Sequence, residues 1–230
     1  MFEETNESLK NAVETGMLRN LHALSLSYSD VTDLSPLRSL ENLRCINLHS
    51  TNVSDLSPLA GLAKLERINI RNTMVKDLEP LAELNGLVRV ELYNTNVSDL
   101  SPLAGLVKLK WISIRYTAVK DLSPLSFMMD LEELDLGHTK VTDLSPLRRV
   151  KNLKILDIGN TDVIDLTPLT KLVHLFDLTI ANTRVYDLAP LTKMVSLSHL
   201  YTWNNGTDDL DPLYELVESG IKIHRSRRYG

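Results

Sequence analysis

The sequence predicts an α/β repeat solenoid in which short parallel strands alternate with short helical turns. Three observations predict it. All nine prolines stand 22 residues apart, from Pro36 to Pro212, with no insertion or deletion between them. Nine segments, beginning at Leu21, Leu43, Leu65, Leu87, Leu109, Leu131, Leu153, Leu175 and Leu197, share the pattern L-x-x-Φ-x-Φ-x-x-T-x-V-x-D-L-S-P-L-x-x-L-x-x, where Φ is Leu, Ile or Val. Aromatic residues make up only 5% of a chain that is 43% hydrophobic, so the core is built from Leu, Ile and Val, as stacked layers of one repeated unit require.

Each part of the repeat has a local reason. Leu131, Leu134 and Leu136 open an alternating segment, which suits a strand with one buried face. Asp143 and Ser145 stand just before Pro146, and small polar groups ahead of a proline mark the start of a tight helical turn. Proline fixes φ and lacks a donor, which suits that first turn. Leu147 and Val150, three apart, give the turn one apolar face. No single unit has enough core to fold alone, so neighbours must stack. Nine strands at about 4.8 Å spacing predict a sheet about 40 Å long.

The ends need covers. Residues 1–20 are predicted as a polar helical cap with Phe2, Leu9 and Val13 as its apolar contacts. Residues 21–212 form one domain of nine repeats, the ninth degenerate at Thr202, Asn205 and Thr207. Residues 213–230 are predicted as a C-terminal cap and tail: Leu213, Leu216, Val217, Ile221 and Ile223 supply a short helix and a last strand, and HRSRRYG frays.

The repeat pattern resembles the leucine-rich-repeat family, specifically the 22-residue subclass of bacterial internalins and eukaryotic phosphatase-regulatory proteins, over about residues 21–220. The resemblance implies a curved right-handed horseshoe, with the parallel sheet on its concave side and 3₁₀ turns on its convex side. Internalins are exported surface proteins. The N-terminal MFEETNESLK has neither the basic nor the apolar region of a secretory signal, and no wall-anchoring tail is evident. Their invasion role is therefore not carried over, and a cytoplasmic location is expected unless export follows a non-Sec route. No apolar run is long enough to span a membrane. The single cysteine, Cys45, makes no internal disulfide.

Several recurring residues read as scaffold. The nine aspartates from Asp33 to Asp209 lie one per turn, so they cap turns and do not converge on a metal or a reaction. The threonines from Thr51 to Thr183 are expected to bond backbone between turns. No nucleotide, hydrolase or metalloprotease motif occurs, and no catalytic residue, metal site or cofactor is expected. Cys45 and His49 are about 13 Å apart along a strand, too far for proton transfer.

Binding information sits where the repeats differ. The third, fifth, seventh and eighth residues of each repeat are predicted to face off the sheet. Repeats two to five present His49, Arg67, Arg71, Arg89, Tyr93, Trp111, Arg115 and Tyr116. Repeats six to eight present Glu133, Asp135, Asp157 and Asp177, and the ninth adds His199, Tyr201 and Trp203. Arg, Trp and Tyr are enriched at binding hot spots. These residues predict a bipolar concave interface, basic and aromatic in one half and acidic in the other. The expected function is non-enzymatic: a monomer gripping a folded protein partner as an inhibitor or immunity-like protein, a regulator or a delivered effector. The alternative is an adaptor or regulatory subunit of an enzyme complex, such as a phosphatase or ubiquitin ligase. The formal charge of −5 and the acidic stretch beside the arginines argue against nucleic acid.

Overall fold

A computed structural model describes residues 5–205, 214, 217, 218 and 220–225. Ten three-residue strands run through it: β1 (Ala23–Ser25), β2 (Cys45–Asn47), β3 (Arg67–Asn69), β4 (Arg89–Glu91), β5 (Trp111–Ser113), β6 (Glu133–Asp135), β7 (Ile155–Asp157), β8 (Asp177–Thr179), β9 (His199–Tyr201) and β10 (Lys222–His224). They form one sheet in sequence order, every neighbouring pair parallel. Constant repeat length keeps the register, so each repeat position forms a column across the sheet: Cys45 beside Arg67, Arg67 beside Arg89, Arg89 beside Trp111. The fold is the curved repeat horseshoe that the sequence predicts, with the sheet concave and 3₁₀ turns, such as Ser101–Leu103, on the convex side.

Seven side chains per repeat build the core. In the fourth repeat Leu87, Val90, Leu92, Val97, Leu100, Leu103 and Leu106 are each at most 1% exposed. Burying a side chain of this size contributes about 1.5–3 kcal/mol, and the layers above and below supply the cover.

The turns are held by short-range polar bonds. Asp99 Oδ1 accepts from the Ser101 N–H at 2.8 Å, and the same bond recurs at Asp143 and Ser145 at 2.7 Å. The aspartates are thus caps for the 3₁₀ turns, as expected. The threonines differ from expectation. Thr95 donates its hydroxyl to the Leu92 carbonyl at 2.8 Å, within its own turn, and Thr117 does the same to Ile114 at 2.6 Å. The carbonyl three residues back lies within reach of a buried hydroxyl, so the bond closes locally instead of crossing between turns.

At the N-terminal end, helix α1 (Asn6–Glu14) starts at a capping box between Thr5 and Ser8. Leu9 is buried against the first repeat and Val13 partly so. Asn6 ties the helix down: Oδ1 accepts from the Thr32 and Asp33 amides at 2.9 and 3.0 Å, and Nδ2 donates to Thr32 Oγ1 at 2.9 Å. At the other end Ile221 is buried beside β10. Phe2, Thr207, Asp209, Pro212, Leu213, Leu216 and the last five residues, 226–230, lie outside the described residues.

Candidate functional site

The ladder does not stop at the three strand residues. Asn94 N–H donates to the Arg115 carbonyl, and Tyr116 N–H to the Gly137 carbonyl, at 2.9 and 3.0 Å. Equivalent bonds hold the eighth position of every repeat from the first to the eighth. The eighth residue is therefore fixed, and in all nine repeats it is left-handed, with φ between 52° and 62°. Five of the nine are Asn, the side chain that tolerates this region best after glycine. Asn94 Nδ2 bonds Asn72 Oδ1 at 2.9 Å, and Asn204 bonds Asn182 at 2.8 Å, forming short side-chain ladders. Tyr28, Ser50, Tyr116 and His138 take the strained conformation without being Asn.

Rings and guanidiniums stack in this setting. Arg71 Cζ lies 4.7 Å from the Tyr93 ring centre, Arg89 Cζ 3.9 Å from Trp111 and Arg115 Cζ 5.5 Å from Tyr116. Tyr93 meets Tyr116 edge to face at 5.3 Å, and Tyr116 stacks on His138 at 4.0 Å with planes 13° apart. The strands thus carry a continuous tier from Arg71 through Tyr93 and Tyr116 to His138. Each cation–ring or ring–ring contact is worth about 0.5–1.5 kcal/mol, and together they hold the side chains before any partner arrives. Farther along, His49 Nε2 meets Tyr28 Oη at 2.9 Å and its Nδ1 lies 3.3 Å from the Arg71 carbonyl.

The two predicted halves are joined by charge. Arg115 Nη1 lies 2.9 Å from Asp157 Oδ2 and 3.6 Å from Asp135 Oδ1, crossing two strands to reach the first. It can do so because Gly137 has no side chain: a Cβ there would lie 2.9 Å from Arg115 Cζ. Burial alone would lower the Arg115 pKa, but the two carboxylates outweigh it and raise it. Asp157 is pushed up by burial and then by the charge of Asp135, against the opposing Gly159 N–H and Arg115. Burial, and then the nearby Arg115, lower His138. Asp135 and Asp157 also have a scaffold task, each accepting the N–H of the glycine two residues on, at 3.0 and 2.7 Å.

Of the residues predicted from sequence, Arg71, Tyr93, Arg115 and Tyr116 come together in the tier, and Arg89 and Trp111 form a second stacked pair joined to it through Glu91. Arg67 is exposed beside it, and His49 and Glu133 are half-buried on the same face. Two predicted contact residues are corrected: Asp177 is 5% and Tyr201 8% exposed, so neither offers much surface to a partner. Tyr201 is covered because His224 of β10 stacks on it at 4.3 Å. Sequence reasoning missed Glu91, which pairs with Arg89 at 2.9 Å and Arg71 at 3.7 Å and so partly offsets the charge of the basic half. It also missed His138 and the two glycines. The signal was there: the eighth-position column shows five asparagines around Tyr116 and His138, and the seventh shows Gly137, Gly159 and Ala181 in succession. Gly159 and Ala181 floor a groove of about 600 Å³, walled by Trp111, Arg115, Tyr116 and His138 on one side and Trp203 on the other, while Gly137 lies beneath the Arg115 guanidinium.

Comparison with known proteins agrees with this architecture. The family profile described as Leucine Rich repeats (2 copies) matches residues 19–61. Among solved structures, an internalin (inlF) of Listeria monocytogenes is similar with a TM-score of 0.83 and 27% identity, covering 97% of this chain and 71% of that one. Internalin C2 of the same organism is similar at 0.80 and 26% identity, covering 85% and 92%. A leucine-rich-repeat protein of Leptospira interrogans shares the fold at 0.78 and 19% identity, covering 92% and 62%. A comparison with curated protein sequences gives no match. No helix among the described residues is long and apolar enough to cross a membrane.

Proposed function

We propose that this leucine-rich-repeat solenoid is a non-enzymatic recognition protein that grips a folded protein partner on its concave sheet. The leucine-rich-repeat fold is in general a scaffold for protein–protein interaction. The observation that carries the concave reading is the tier of Arg71, Tyr93, Arg115, Tyr116 and His138, with the Arg89–Trp111 pair joined to it through Glu91. Its rings and guanidiniums are held by one another above the sheet. Two of those rings occupy left-handed backbone where Asn serves elsewhere. Strained backbone kept in place by its surroundings collects at binding sites, and pre-ordered aromatic and arginine side chains lose little entropy on association.

Its arginines are balanced by Glu91, Asp135 and Asp157, so the tier works by stacking and by directed bonds more than by net charge. The test is affinity capture of a partner from the native host's lysate. It compares the intact chain with a Tyr93→Ala, Trp111→Ala variant whose fold is checked by circular dichroism. Capture by the intact chain alone supports the reading, with affinity falling at least about 30-fold when two hot-spot rings are lost. Equal capture by both moves the interface off this face. Identification of the captured protein distinguishes an inhibited toxin or enzyme, a regulated catalytic subunit and a host target.

A further inference from the structure

Three rings on the concave face carry a guanidinium of their own chain: Tyr93 carries that of Arg71, Trp111 that of Arg89, Tyr116 that of Arg115. Trp203 is a fourth large ring on this face, half-buried, and no cation of the described residues stacks on it. The columns explain the difference. Tyr93 and Trp203 both hold the seventh position, and the strand before Tyr93 supplies Arg71 there. The strand before Trp203 supplies Ala181, after Gly159 and Gly137. A methyl group and the bare backbone of Gly159 leave an open bay between Trp203 and the Arg115 side chain, which itself lies over Gly137.

The charges around the bay decide what it would take. Asp135 and Asp157 share the single guanidinium of Arg115. Both carboxylates line the bay, and Arg71 at its far end is taken up by Glu91, which leaves the bay an excess of negative charge. An anion entering there meets repulsion; a cation meets carboxylates and a ring face. A planar guanidinium suits both at once, stacking on the indole while its fork reaches a carboxylate, whereas a lysine ammonium is a more strongly hydrated point charge. We propose that the bay over Gly159 and Ala181, between Arg115 and Trp203, receives an arginine side chain of the protein partner. This rests on the reading of the concave face as the binding surface and names one anchor on it.

The probe is acetyl-Gly-Arg-Gly-amide, titrated into isotopically labelled full-length chain at constant ionic strength and followed by NMR, with the Lys and Glu tripeptides as comparators. The expected result is a saturable shift of the Trp203 indole N–H and the Gly159 and Ala181 amides. It is weaker with Lys and missing with Glu. Trp203→Leu weakens arginine binding about fivefold. Ala181→Arg abolishes it, because an in-chain guanidinium then fills the bay. That variant is built to fold, since the same column already holds Arg71 and Arg115. An equal response to the Glu peptide overturns the proposal, as does an arginine response unchanged in Ala181→Arg or no saturation by about 100 mM. Partner capture separates the two readings. If Tyr93→Ala, Trp111→Ala loses the partner while Ala181→Arg keeps it, only the arginine anchor fails. If neither loses it, the concave reading itself fails.

Discussion

Replacing Gly137 by Ala tests whether the link between the two halves of the concave face depends on one missing side chain. The added Cβ would sit 2.9 Å from Arg115 Cζ and 3.2 Å from Asp135 Oδ1. Because the arginine tip is the flexible end of a long side chain, the clash itself is relieved cheaply by swinging it away. What is lost is the 2.9 Å pair with Asp157. Its partners are 26% and 28% exposed, between the exposed pairs worth under about 1 kcal/mol and the buried ones whose breaking costs about 3–5. A loss of about 1–2 kcal/mol follows, or roughly 3–6 °C in Tm for a chain of this size. The pH dependence has a definite sign. The Asp157 pKa is raised on folding. A group raised in this way stabilises the fold least once it is ionised, so stability falls as pH rises through its folded pKa. Without Arg115 nearby the rise is larger, and the Gly137→Ala loss is greater at pH 7 than near pH 4. Calorimetry of Gly137→Ala, Arg115→Ala and the double variant checks it. Gly61→Ala serves as a control, because nothing lies within 4 Å of its added Cβ. If the Gly137→Ala loss persists undiminished in the Arg115→Ala background, the glycine acts by some other route and the reasoning is refuted.

Three further outcomes follow from the same geometry. Ser50→Asn, at φ 55°, relieves left-handed strain and extends the ladder to Asn72; a gain of about 0.5 kcal/mol should appear as a higher urea midpoint with an unchanged slope. Asn94→Val, at φ 52°, places a branched side chain in the same region and should cost at least about 1 kcal/mol by the same measurement. Asp143→Ala removes the bond to the Ser145 amide and should cost about 1 kcal/mol at pH 7. Hydrogen bonds from Ser145 hold the Asp143 pKa down, so its contribution is present above the unfolded value of about 3.9 and lost as pH falls through the lower folded one. The difference between Asp143→Ala and the parent should therefore shrink in acid, and a constant difference down to pH 2 would contradict the capping role.

The seven-residue core, the strand register and the convex turns were all legible in the chain, because a 22-residue period without insertions leaves each apolar position only one stacking partner. The capping aspartates were legible for a related reason: the bond from Asp99 to the Ser101 amide spans two residues and needs nothing from elsewhere. The face that the variable positions occupy was legible too, since strand side chains alternate. Which of those side chains meet was not. Arg115 and Asp157 stand 42 residues apart and touch only because the sheet stacks their strands two apart and Gly137 lies bare between them. Glu91 pairs with Arg71 and Arg89 by the same lateral proximity, which makes the patch less basic than its arginines alone suggest. The left-handed eighth position was written in the asparagine column, yet its consequence, Tyr116 stacked on His138, appears only when successive repeats are laid side by side. Periodic, local features are determined by the chain alone because each repeat restates them; the side-chain partnerships of the concave face belong to the tertiary structure, because they join positions that only stacking brings within a few ångströms.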